Sequence, residues 1–354
     1  MKIGFTYDLR AEYVEQGYNE DATAEFDSPE TIDAIEGALL RLGHEVDRIG
    51  NIYALTRLLS AGVRWDLVFN LAEGMHGFGR EAQVPALLDA FNIPYTFSDP
   101  LVLTSALHKG AAKTLVRSMG VPTPEFAVIH NEDEVHDVQF PWPVFAKPIA
   151  GGSSAGIDRF SVTRNQSELV NTCRDLLERF RQPVLVEGFL PGREFTVGVI
   201  GTGARARVLG TMEVLLRDNA EPGVYSYSNK MNHLTCVSFR LVREHAAQAA
   251  EQAVLQIWRT LGGRDAGRLD FRCDRDGTPN FLELNPLPGL HPDSDLVILA
   301  RLLGISHAAL IESIVTSACE RLPSRQHESA HASGQRTATR SQSWEMQHES
   351  RVYP

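Results

Sequence analysis

Two acids and an amide near the end of the chain have the types and spacing for metal chemistry. Polar and apolar residues alternate through Arg268-Leu269-Asp270-Phe271-Arg272-Cys273 and again through Asn280-Phe281-Leu282-Glu283-Leu284. The Asp274-Arg275-Asp276-Gly277 segment between them is hairpin-turn chemistry. On such a hairpin Glu283 and Asn285 share a face, and Asp270 sits on the partner strand. Two carboxylates and an amide oxygen are hard ligands, suited to Mg²⁺ held against a phosphate. A solvated polar face on an ordinary hairpin is the plainer alternative.

Other stretches carry anion chemistry. Val144-Phe145-Ala146-Lys147-Pro148 is a buried-type strand ending in a lysine, which is costly unless the lysine meets an anion. Directly after it, Gly151-Gly152-Ser153-Ser154-Ala155-Gly156 can wrap backbone N–H groups around phosphate oxygens. It is not the nucleotide P-loop, because its lysine precedes the glycines. A hairpin closing over phosphates fits better, with a plain flexible turn as the alternative. Glu73-Gly74-Met75-His76-Gly77-Phe78-Gly79 follows a strand's C-terminal end, where open parallel sheets bind ligands. A glycine-rich turn with an inert histidine is the bland reading of the same residues. Lys109 and Lys113, one turn apart, read by themselves as a solvated basic face.

The elements that must position these residues follow in order. Strands at Lys2–Tyr7, Glu45–Ile49 and Asp66–Leu71 alternate with helices, predicting a doubly wound parallel sheet over the first hundred residues. Ser28-Pro29-Glu30 is a strong helix start, with Ile32, Ile35, Leu39 and Leu42 at helical spacing and Gly43 as terminator. The acidic stretch from Asp8 to Asp27 reads as a long loop. A helix from Asp99-Pro100 is expected to carry Leu103, Leu107, Ala111 and Leu115 on one face. Beyond Gly120-Val121-Pro122 the pattern switches to strands and long helices, including Glu168–Phe180 and Glu244–Leu261, and Leu302–Ile314 closes the ordered part. The expected division is 1–120, 121–205 and 206–322, followed by a tail over 323–354. That tail is poor in apolar residues and reads as disordered.

Composition narrows the function classes. The 354 residues carry 34 Lys+Arg against 45 Asp+Glu, a net charge of −11, which argues against a nucleic-acid partner. A nucleotide needs only a few placed lysines. Four scattered cysteines make neither a disulfide framework nor a zinc site. No apolar run is long enough to span a bilayer, so a cytoplasmic protein with no membrane partner is expected.

Taken together, Ala146-Lys147-Pro148 with Gly-Gly-Ser-Ser-Ala-Gly, Glu187-Gly188-Phe189-Leu190 with Gly192-Arg193-Glu194-Phe195, and Arg268-Leu-Asp270 with Glu283-Leu-Asn285 resemble the ATP-grasp ligases. The downstream Pro-Gly-Leu and Asp293-Ser294 are similar to the D-alanine–D-alanine ligase branch, over roughly residues 1–320. The resemblance implies an α/β, α+β fold of three domains, with ATP held between the central and C-terminal ones. It implies that Lys109 and Lys147 contact ATP phosphates and that the loop with Ser153, Ser154 and Gly156 closes over them. Glu187, Gly188, Phe189 and Leu190 would line the adenine site and Glu194 would take the ribose. Asp270, Glu283 and Asn285 would hold two Mg²⁺ ions, or Mn²⁺ in their place, and Lys230 would reach the γ-phosphate. Arg268 and the Gly289 N–H would stabilise an oxyanion. His76, Glu73, Ser294 and Asp295 would face the substrates. A carboxylate and an amine, amino acids by preference, are the implied partners, and a homodimer is the family's frequent assembly.

Departures from that pattern fall on the substrate side. The first-domain loop reads Glu73-Gly-Met-His76-Gly-Phe-Gly-Arg80-Glu81, where the ligases read His-Gly followed by Gly-Glu-Asp-Gly. Met231 follows Lys230 where those ligases carry a tyrosine, and Asp295 follows Ser294 where an apolar residue is usual. The leading expectation is an ATP- and Mg²⁺-dependent ligase forming an amide through an acyl phosphate. A genuine cell-wall D-alanine–D-alanine ligase and a non-catalytic nucleotide-binding regulator are the alternatives. A bicarbonate-using carboxylase would need a biotin-attachment segment, and none is seen.

Overall fold

Three short strands, β1 (Lys2–Thr6), β2 (Glu45–Gly50) and β3 (Leu67–Asn70), form a parallel sheet in the order β2-β1-β3. This is the expected βαβαβ unit. In the computed structural model, residues 1–19, 22–152, 154–221, 226, 229 and 232–322 are described. Ser28 caps the first crossover helix, Pro29–Arg41, by accepting from the Thr31 N–H, and Pro29 occupies its first turn. Gly43 follows at φ +81°, where a side chain would be strained.

The stretch from Asp8 to Asp27 is not the featureless loop expected. Arg10–Glu15 is helical, and Leu9 bridges Asp27. The Asp8 carboxylate supplies the reason: it accepts from the Tyr13 hydroxyl at 2.5 Å and from the Gly74 N–H at 2.9 Å, tying the segment to the next loop.

The helix expected from Asp99 is two helices. Pro100–Leu107 ends at His108, and Lys109–Ser118 restarts there, the His108 ring accepting from the Ala111 N–H at 3.1 Å. The restart rotates the buried face onto Lys109, Ala112, Lys113 and Val116, leaving Leu115 37% exposed. Likewise, Leu302–Ile314 is not one helix. Asp295–Leu302 and His307–Cys319 are separated by Gly304 at φ +77°, and Ser306 caps the second. Among the described residues no single helix is long and apolar enough to cross a membrane. The bent pair that passes by length and composition packs its apolar face into the core around Ile3, Phe5 and Ile32.

Beyond Gly120 lie two antiparallel sheets. β4 (Phe126–Ile129), β5 (Val144–Pro148), β6 (Val162–Thr163) and β7 (Val184–Gly188) are ordered β4-β7-β5-β6. The second sheet contains β8 (Glu194–Ile200), β9 (Arg207–Leu216), β10 (Val237–Leu241), β11 (Ala266–Cys273) and β12 (Pro279–Asn285), ordered β10-β9-β8-β11-β12. The strand β8, assigned to 121–205 on sequence, therefore pairs in the later sheet, between β9 and β11. The Gly188–Gly192 segment joins the two sheets. Helix His245–Leu261 covers the second sheet, with Trp258 fully buried and its indole N–H on the Gly201 carbonyl at 3.0 Å.

The β11–β12 hairpin turns at Asp274, whose carboxylate accepts from the Asp276 and Thr278 N–H groups, both at 2.9 Å. Gly277, at φ +83°, completes the turn. Register shifts between Asp270 and Phe271: Asp270 faces Glu283, but Phe271 faces Phe281. Leu282 is thus the extra residue of a bulge. Without it Phe281 and Glu283, two apart, would share a face. With it Phe281 enters the core and Glu283 faces the cavity side.

Candidate active site

A cavity of about 100 Å³ lies between the two antiparallel sheets. From the four-stranded sheet come Phe145, Lys147 and Glu187; from the five-stranded sheet come Glu194, Thr196, Asp270 and Arg272. Gly188, Phe189 and Leu190 of the connecting segment close one side. Arg272 stacks over the Phe189 ring at 5.2 Å and reaches Glu194 at 3.3 Å.

Glu187 is 3% exposed and is held by two lysines, Lys147 at 2.8 Å and Lys113 at 2.7 Å. Burial alone would raise its carboxyl, but the two ammonium groups outweigh it and hold it below the usual range. Burial pulls Lys147 down as well, yet Glu187 and Glu283 leave it net raised. Lys113 goes the other way: burial lowers it to about 8 despite Glu187. Its ammonium is further fixed by Thr123 at 3.2 Å and the Phe281 carbonyl at 3.1 Å. The i,i+4 lysines are therefore not a solvated face. The new helix phase drives both inward, Lys109 toward the Gly151 carbonyl and Glu283, at 3.6 Å from the latter.

Asp270, Glu283 and Asn285 are brought together as expected. The Asn285 amide lies 3.5 Å from Asp270 and 3.4 Å from Glu283. Thr196 donates to the other Asp270 oxygen at 2.8 Å. The Arg268 guanidinium lies on Asp270, with Asp295 at 3.6 Å and Glu283 at 4.0 Å. A protein cation thus sits where three carboxylates converge, and burial with the neighbouring acids holds Asp270 above the usual carboxylate range. Hard oxygen donors around a place that already demands positive charge fit Mg²⁺.

A second cavity, about 370 Å³, shares Arg268, Glu283 and Asp295 with the first. It reaches Gly289 and Ser294 on one side, and Glu73 and Glu81 beneath the first sheet's loops on the other. Ser294 is the N-terminal cap residue of Asp295–Leu302, and its hydroxyl lies 2.9 Å from where a Gly289 Cβ would stand. The absent Cβ keeps the backbone open at the position expected to donate to an oxyanion. Asp295, expected to face the substrates, faces Arg268.

Several expected residues stand elsewhere. His76 lines neither cavity; it lies 3.3 Å from the Tyr18 hydroxyl. Lys109 lines the second cavity rather than the first. Ser154, at φ +55°, lines the first cavity, whereas Gly156 buttresses the loop against Pro148 and Phe180. Ser153, Lys230 and the tail 323–354 lie outside the described residues. Lys113, Thr196, Arg272 and the Glu25–Arg80 pair were not singled out as site residues. Only the i,i+4 spacing to Lys109 pointed to Lys113. Glu25 accepts from both Arg80 and the Gly152 N–H, so it ties the phosphate-type loop to the first domain.

Residues 115–316 match the sequence profile of the D-ala D-ala ligase C-terminus. D-alanine–D-alanine ligase of Aquifex aeolicus is 30% identical over 80% of this chain and 92% of that protein. The chain belongs to the D-alanine–D-alanine ligase family. As a member of this ligase family it is an ATP-dependent, ADP-forming carbon–nitrogen ligase. The uncharacterised protein y4sG of Sinorhizobium fredii is similar to this ligase too, 31% identical over 82% of this chain and 87% of that one. In fold the ligase is like D-alanine–D-alanine ligase from Bacillus anthracis complexed with ATP, with TM-score 0.68, 19% identity and coverage of 90% and 98%. It is equally like VanG D-Ala:D-Ser ligase from Enterococcus faecalis, with TM-score 0.68, 18% identity and coverage of 90% and 99%. The fold is therefore ATP-grasp.

Proposed function

We propose that this ligase joins the carboxylate of one amino acid to the amine of a second substrate through an acyl phosphate. The supporting observation is that the two cavities meet at a common wall of Arg268, Glu283 and Asp295. A phosphoryl group delivered from the first cavity would meet a carboxylate held in the second.

In this reading the adenine lies against Phe189 and Leu190, Glu194 takes the ribose, and Lys147 and Lys109 balance phosphate charge. Bound at Asp270, Glu283 and Asn285, Mg²⁺ would supply the further neutralisation that phosphoryl transfer needs, two ions being expected. The donor carboxylate attacks the γ-phosphoryl group and ADP leaves. The amine then attacks the acyl carbon, and phosphate departs with the carboxylate oxygen. Arg268 and the Gly289 N–H face the oxyanion of that second step. Such preorganised donors are typically worth about 10²–10³ each in rate.

D-alanine, the substrate in the names of several relatives, is the second reading, supported by identities of 30–32%. Met231 and Asp295 stand against it, because both change residues on the substrate side.

Incubation with ATP, Mg²⁺ and a pool of D- and L-amino acids tests both readings, with ADP and product mass as readouts. ADP release matched by an amide product is expected. Absence of ADP release with every pair, in a protein that binds ATP, would overturn the proposal; D-alanine as sole productive substrate would select the second reading.

A further inference from the structure

The second cavity is lined by more acids than an ordinary amino acid could balance were they all ionised. Glu81 is 8% exposed, lines this cavity, and makes no hydrogen bond or ion pair with its carboxylate among the described residues. Glu73 and Asp27 line the same wall, and their carboxylates likewise have none among the described residues. Opposing charges are mostly engaged. Arg80 pairs with Glu25, Lys109 lies near Glu283, and Arg268 serves Asp270 and Asp295. Of the cavity's cationic side chains, Arg10 alone makes no ion pair among the described residues, which offsets one acid and leaves two.

We propose that the substrate whose carboxylate is activated is an amino acid bearing a second ammonium group, bound by Glu81, Glu73 and Asp27. The identity of this end of the cavity rests on the ligase reading. Glu25 accepts from the Gly152 N–H, and Lys109 takes the Gly151 carbonyl, so the acid wall adjoins the phosphate-type loop. A donor there would place its carboxylate toward Lys109 and Arg268 and its ammonium groups toward the acids. A simple zwitterion brings no net charge, whereas a diamino acid brings one positive charge more.

Burial is the leading cause holding these acids up, Glu81 and Asp27 to about 7 and Glu73 well above the usual range. A cation would relieve that penalty. Asp27, Glu73 and Glu81 do not converge tightly enough to hold a metal ion, so an organic cation fits them better. The cavity, about 370 Å³, has the size of an ordinary small-molecule site.

The test is calorimetric binding of D- and L-lysine against norleucine, the neutral analogue of similar length. It is run with and without Mg²⁺ and a non-hydrolysable ATP analogue. One lysine enantiomer should bind at least tenfold more tightly than norleucine. Glu81→Gln should remove that preference, and Glu73→Gln should weaken it independently. Equal binding of lysine and norleucine, or a preference that survives both substitutions, overturns the inference. ADP release measured in parallel separates the two claims. Turnover with neutral amino acids and no lysine preference refutes the charge inference and leaves the ligase reading standing. Selective lysine binding without ADP release from any pair does the reverse. If neither is seen, both fall.

Discussion

The Arg268 guanidinium lies on the Asp270 carboxylate, two residues further along the same strand, and reaches Asp295 from the same position. One cation thus serves a residue expected to bind metal and a residue expected to face the substrates. Arg268→Gln should lower kcat by about 10²–10³, the usual cost of a lost oxyanion donor. The ATP KM should move much less. Steady-state kinetics at saturating Mg²⁺ check this, and an unchanged kcat would remove Arg268 from the chemistry.

Glu187 depends on Lys113 as well as on Lys147. Lys113→Met leaves a buried carboxylate with one partner, so a loss on the order of 3 kcal/mol in unfolding free energy is expected. The ATP KM should rise if the proposed nucleotide site is right, because Glu187 lines the first cavity. Urea unfolding and ATP kinetics measure both, and full stability in the variant would contradict the arrangement.

Gly156 stands at φ +74°, and a Cβ there would sit 2.8 Å from both Pro148 and Phe180. Gly156→Ala should cost about 1–2 kcal/mol in strain. Because Ser154 is in the same loop, kcat/KM for ATP should fall with it. Unchanged kinetics would mean that the loop takes no part in binding phosphates.

Glu81 gives a pH signature with a definite sign. Its folded pKa, about 7, lies above the usual 4.5, so the folded state holds a proton that the unfolded chain has released. Stability therefore falls as pH rises from about 4.5 to 7, and the penalty is complete above that window. Glu81→Gln should flatten this slope and raise stability at pH 8 by at most roughly 3 kcal/mol. Melting temperatures across pH 4.5–8 test it; a variant less stable than the parent at pH 8 would contradict it.

What could be read from the chain was local. The hairpin from Arg268 to Asn285 was legible because its turn chemistry and its three oxygen-bearing side chains lie within eighteen residues. Lys147 was legible because a lysine ending an apolar strand needs a partner. The bulge at Leu282 was not, since Asn-Phe-Leu-Glu-Leu has no turn or glycine signal, and pairing with Asp270 and Phe271 decides it. Lys113 was misread because one histidine cap restarts its helix and changes which face is buried. The acid wall was legible only in part, for a different reason. Glu73 and Glu81 share one loop, of which only Glu73 was expected to face substrate, and tertiary packing alone brings Asp27 against it.

The central claim is an acyl phosphate, and isotope transfer tests it most directly. The donor giving the most ADP release is labelled with ¹⁸O in its carboxylate, and the phosphate formed with Mg²⁺-ATP and the amine is analysed by mass spectrometry. The account predicts one labelled oxygen in each phosphate, with ADP and amide in equal amounts. Unlabelled phosphate, or AMP and pyrophosphate in place of ADP, would contradict it.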